Sequence, residues 1–189
     1  PAECLLPVPQ ARSYDAALLF LIYPLQVVET NIADQILNNV IVHLQGDYGI
    51  RRYLGDSFWC RDYRLIPPEI RTTVSTEREG WLQEQGRGLN LGEEAQWCIF
   101  DPIISAIFGL KFQSTGQEKY LNLQTHYFNR SLGQITGKDS PLGEFKCPEL
   151  YYLEQGKYIP NDATPLLWTQ ANLQIALELI KKSLTISNK

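Results

Sequence analysis

Methionine is absent from all 189 residues, histidine occurs twice and cysteine four times. Each scarcity excludes something. His43 and His126 lie far apart, and Cys4, Cys60, Cys98 and Cys147 form no C-x-x-C pair. Neither a zinc site nor a disulfide framework is expected from such spacing, and no cofactor is implied. Reduced thiols in a cytoplasmic protein are the expectation. Basic stripes are missing too, and the net charge is −4. That balance argues against a nucleic-acid or anionic-membrane partner, since phosphate binding needs a basic face. The longest apolar runs, such as "AALLFLIY" at 16–23, fall short of the roughly 20 residues that span a bilayer. No signal peptide is legible. The chain opens on "PAECLLPVPQ" without an initiator methionine, so it reads as a fragment or a processed product whose true N-terminus lies elsewhere.

What is present belongs to an ordinary folded domain: 44% hydrophobic and 20% charged residues. Five helices are predicted and little reads as strand. The first, about 14–28, is apolar almost throughout and should be buried on all sides, with Pro24 kinking or breaking it. The second, about 31–45, carries Ile32, Ile36, Val40 and Leu44 at spacings of four beside Ala33, Leu37 and Ile41. Thr30 or Asn31 is its N-cap and Gly46 its terminator. A long stretch from 46 to about 91 reads as a structured loop, too aromatic for disorder. The third helix, about 93–109, starts on Glu93 and Glu94, and its Asp101 needs partners or a job if buried. The fourth, about 116–133, places Tyr120, Leu123, Tyr127 and Phe128 on one face. The fifth, about 164–184, is capped by Thr164 with Pro165 first inside, and Leu167, Ala171, Ile175 and Leu179 follow at spacings of four. The expected fold class is all-α with long structured loops. Its helices carry more apolar surface than five can hide, which implies a missing half or a second copy.

Four blocks carry a resemblance: "YDAALLFLIYP", "HLQGDYGIRRY", "GEEAQWCIFDPIISAIFGL", and "CPELYY" followed by "ATPLLWTQANLQIAL". In this order they resemble the C-terminal half of the glucoamylase-type glycoside hydrolases (family 15), nearest to the branch of the phosphorylase kinase alpha and beta regulatory subunits. They span roughly residues 14–180. The resemblance implies an (α/α)₆ barrel to which this chain contributes about five helices, and an α-glucan or maltooligosaccharide as ligand. It also implies inverting release of glucose. That reaction uses one protonated and one ionised carboxyl group about 6.5–9.5 Å apart, with a water between them.

By the same resemblance Glu149 falls on the family's general base, and Arg52 and Tyr53 on its sugar-contacting pair. Glu94, Trp97 and Tyr152 are further candidates for substrate contact. The residue types suit that work: a guanidinium fork matches paired hydroxyls, and aromatic walls stack on sugars while raising a carboxyl by desolvation. Plainer roles compete with each. Glu149 can neutralise an arginine or cap a loop, Arg52 can pair with Asp47 or Asp56, and Trp168 can be core. The family's general acid lies upstream of anything in this chain. Leu150 departs from the hydrolases, where many have a polar residue after the Pro-Glu pair, and "PLLWTQ" leans toward the kinase subunits. Three readings follow: the base-bearing part of a glucan hydrolase, a non-catalytic glucan-sensing or regulatory module, and a helical scaffold without ligand.

Overall fold

The computed structural model describes residues 13–187. Its elements, in order, are a 3-10 turn at Ala16–Leu18, α1 (Leu19–Ile22), α2 (Thr30–Leu44), β1 (Ile50–Arg51), a second 3-10 turn at Tyr63–Leu65, α3 (Pro68–Arg71), α4 (Ser75–Glu84), β2 (Gln96–Trp97), α5 (Asp101–Thr115), α6 (Glu118–Gly133), β3 (Leu150–Glu154), β4 (Lys157–Pro160) and α7 (Leu167–Ser187). The fold is predominantly helical but not all-α. An antiparallel sheet of order β1-β2-β3-β4 runs through it, uniting segments from positions 50, 96, 150 and 157 onward.

Helix α5 is the centre. Its residues from Asp101 to Gly109 are buried without interruption. It packs against α6, α7 and α1. Two of its small residues allow a close approach to α6. Ser105 donates to the Gln124 carbonyl at 2.9 Å, and a side chain at Gly109 would run into the Gln124 amide. The helix closes on Gly116, whose φ of 67° is the left-handed C-terminal conformation; its N–H reaches the Phe112 carbonyl at 2.8 Å.

The predicted helix at 93–109 is therefore corrected at its start. Pro102 lies in the first turn of α5, where its missing N–H costs nothing, so the helix begins at Asp101. Of the preceding residues Gln96 and Trp97 form a strand, paired to β1 on one side and to β3 on the other, and a turn leads from it into the helix. Strands this short carry no visible alternation, which is why the sequence conceals them. The third and fourth strands do have a signature. "LYYLEQGKYIP" closes through Gln155 and Gly156, both at positive φ (48° and 78°), the arrangement of a two-residue hairpin turn.

The second and fourth predicted helices hold with adjustments; the first does not. It breaks at Tyr23, before Pro24, is only a 3-10 turn plus one turn of α-helix, and buries Ala16 and Leu19 rather than all its sides. In α2 the stripe Ala33, Ile36, Leu37, Val40, Leu44 is buried while Ile32 is exposed. Gly46 does not end it with a left-handed turn; a side chain there would instead collide with Gln96, whose Oε1 accepts from the Tyr48 N–H at 2.7 Å. In α6 the buried face is Gln124, Tyr127 and Ser131, and Leu123 is exposed.

Helix α7 starts at Leu167, and Thr164 does not cap it: its hydroxyl donates to the Asn161 carbonyl. Its buried face is Thr169, Asn172, Ala176, Leu179, Ile180 and Ser183. Of the predicted spacing-of-four row only Leu179 is buried, because four residues overshoot a 3.6-residue turn and such a row spirals off its face. The stretch between β1 and β2 is structured, as expected, but not all loop: it contains the unpredicted helices α3 and α4, and α4 has almost no apolar periodicity to announce it. Leu167, Trp168, Leu184 and Ile186 stay exposed on α7, as do Leu25 and Val27 after α1. Among the described residues no helix is long and apolar enough to cross a membrane.

Candidate functional site

Glu149 immediately precedes β3, and the hairpin fixes its surroundings. Pairing of Tyr151 with Pro160 brings the next residue, Asn161, back beside the start of the strand. There Asn161 donates its backbone N–H to the Leu150 carbonyl at 3.1 Å and its Nδ2 to Glu149 Oε2 at 2.6 Å. The Glu149 backbone is pinned as well: its N–H reaches the Ala163 carbonyl, and its own carbonyl accepts from Cys98. The side chain is half-buried. Desolvation raises its carboxyl above the ordinary range, against the opposing pull of the Asn161 amide and the nearby Arg52 guanidinium.

Arg52 arrives from the end of β1. Its Nε and Nη2 each meet an Asp56 oxygen at 2.8 Å, a forked pair on a fully buried carboxylate. The guanidinium lies 5.1 Å from the ring centres of both Tyr53 and Trp97 and 5.6 Å from Phe58. Such cation–π contacts hold a planar group flat against aromatic faces. Burial works against the Arg52 charge, but the Asp56 carboxylate outweighs it and its pKa is raised. The cation is therefore fixed within electrostatic range of Glu149, with its side chain still about one-third exposed (31%).

The predicted residues thus divide into two groups. Glu149, Arg52, Tyr53 and Trp97 come together. Trp97, stacked on Phe58 at 5.9 Å, keeps its indole Nε1 without a hydrogen-bond partner among the described residues. Glu94 is fully buried and engaged by the protein: it accepts from the Gly55 and Gly92 N–H groups at 2.9 and 2.7 Å and pairs with Arg51, not Arg52, at 3.3 Å. Tyr152 is fully buried in the core against Trp59. Trp168 is not core; it is 51% exposed and stacks on Phe20 at 5.3 Å. Asn161 and Phe58 were not predicted. The hairpin turn at Gln155-Gly156 was the signal for Asn161, because closing it places that residue opposite Glu149; no sequence signal singles out Phe58.

A second polar cluster lies under α5. Asp101, fully buried, accepts from Arg130 Nε and Gln134 Nε2, each at 2.6 Å, so the buried aspartate has the partners it needs. Burial nevertheless raises its carboxyl. Cys60, Cys98 and Cys147 are free and buried, and Cys4 lies outside the described residues. Burial pushes the Cys60 thiol up to about 12. No group of three His, Cys, Asp or Glu among the described residues is placed to hold a metal.

No protein-family model matches the chain, and no curated protein is significantly similar to it.

Proposed function

We propose that this chain contributes the general-base side of a glucan-binding pocket of the glycoside-hydrolase type, within an (α/α)₆ barrel completed by helices outside the described residues. The observation that carries this reading is the convergence of Glu149 and Arg52 from segments about a hundred residues apart, Glu149 half-buried and Arg52 laid over Tyr53 and Trp97. A base for hydrolysis must be ionised yet basic enough to take a proton from water, and desolvation moves Glu149 in that direction. Asn161 orients the carboxylate through one oxygen and leaves the other for water. Arg52 offers guanidinium hydrogens to sugar hydroxyls beside an aromatic wall.

Asp56 and Glu94 do not supply the acid, since their oxygens are taken by Arg52, Arg51 and backbone N–H groups. The acid is upstream, as the family resemblance implies, or the pocket binds glucan without cleaving it. The second reading, a glucan-sensing regulatory module, needs no acid. The exposed apolar residues of α7 and the α1–α2 connection suit a covering surface from the remaining barrel helices or a second copy.

The experiment is incubation of the intact protein with maltooligosaccharides. Glucose of inverted anomeric configuration, released by the wild type and abolished in Glu149→Gln, is the expected result. Binding without release that depends on Arg52 supports the sensor. Neither binding nor release refutes both.

A further inference from the structure

On the opposite face of β3 from Leu150 and Tyr152 lies a second cleft. Leu150 and Tyr152 point into the core, and the intervening Tyr151 points away from it. Tyr151, Tyr48, Asp47, Arg130, Gly133 and Gln134 enclose a cavity of about 260 Å³. Neither Glu149 nor Arg52 lines it. Its size is below the roughly 300–1,000 Å³ of pockets for drug-sized ligands, so it fits a single small ring.

The lining is of three kinds. Tyrosine rings form a wall: Tyr48 stacks on Tyr158 at 4.6 Å and leans against Tyr151 at 5.5 Å, while remaining 42% exposed. This wall is fixed, because the Tyr151 hydroxyl donates to the Gln134 carbonyl at 3.0 Å and the Tyr48 N–H to Gln96. Arg130 supplies donors. Its Nε is spent on Asp101 and its Nη2 on the Gly46 carbonyl, which leaves the two Nη1 hydrogens without a partner among the described residues. Asp47 supplies the acceptors: its exposed carboxylate has no partner among the described residues. Gln134, about 94% buried, closes the floor and gives its Nε2 to Asp101.

The charges decide the class of ligand. Arg130 is already balanced by Asp101, and Asp47 would repel an anion at the rim. A cation gains little beside Arg130. A neutral ring that bears hydroxyl groups both gives and takes hydrogen bonds and presents C–H faces to tyrosine, which satisfies all three kinds of lining. We infer that the Tyr48–Tyr151–Arg130 cleft is a binding site for one hexose unit of a neutral saccharide, separate from Glu149. It stands or falls apart from the proposed catalytic pocket.

The test is an NMR titration of the intact protein with methyl α-glucopyranoside, read at the ring resonances of Tyr48 and Tyr151, with gluconate as the charged control. Binding with a dissociation constant on the order of 1 mM is expected for so small a site. Tyr48→Ala removes an exposed ring without touching its backbone bond to Gln96 and should weaken binding about tenfold or more. Tyr48→Phe keeps the ring and should restore it, and Asp47→Asn should weaken it a few-fold. Absence of shifts at these rings in the wild type, undiminished binding at Tyr151 in Tyr48→Ala, or preference for gluconate would each overturn the assignment.

Discussion

Replacing Arg130 by methionine should unmask the cost of Asp101. Methionine keeps the stem of the arginine in place but removes the guanidinium, and a fully buried carboxylate is left with Gln134 as its one side-chain partner. Breaking a buried ion pair from one side costs about 3–5 kcal/mol, because the remaining charge stays desolvated. For a chain of this length each kcal/mol moves Tm by about 2–4 °C, so a fall of about 6–20 °C at pH 7 is expected by calorimetry. The pH dependence carries the diagnosis. Burial already raises the Asp101 carboxyl, and Arg130 is the largest influence opposing it, so the variant raises it further. A carboxyl raised in the folded state binds its proton more readily folded than unfolded, and stability then increases as pH falls through the folded value. The variant's deficit should be complete above that raised value and shrink as the pH drops toward about 4, the ordinary value of an unfolded aspartate. Combining Arg130→Met with Asp101→Asn should recover at least about 1 kcal/mol relative to the sum of the single changes. A deficit that is constant with pH, or below about 1 kcal/mol, would refute the reasoning.

Two further expectations test the packing. Gly109→Ala drives a methyl group into the buried Gln124 amide between α5 and α6 and should cost about 1–3 kcal/mol in a urea titration; an unchanged midpoint would show that Gln124 can move aside. Alkylation of the native protein at pH 8 followed by peptide mapping should leave Cys60 and Cys98 unmodified, since burial raises both thiols and excludes reagent; modification in the absence of denaturant would contradict their burial.

Much of the helical frame was legible because its causes are local. The stripe from Ala33 to Leu44 repeats at helical spacing and is buried as that spacing predicts, and α6 falls within a residue or two of its expected span. Errors arose where a local signal had two meanings. Glu93 and Glu94 suited a helix start, yet Pro102 was the true marker of the first turn, and the two glutamates serve instead as buried or half-buried acceptors. A row at spacings of four on α7 looked like a core face, but in a helix apolar on most sides the sequence contains no information about which side is covered.

By itself the sequence determined the spans of α2 and α6 and that Asp101 would need partners if buried, because propensity and spacing are properties of residues near one another in the chain; Glu149 was singled out by the family resemblance. Only the tertiary structure decided that four short segments join into a sheet, that Arg52 pairs with Asp56 while Glu94 takes Arg51, and that Asn161 meets Glu149. The physical reason is range. A two-residue strand is stabilised by partners some fifty residues away, and an arginine chooses among several carboxylates by which one the fold desolvates beside it.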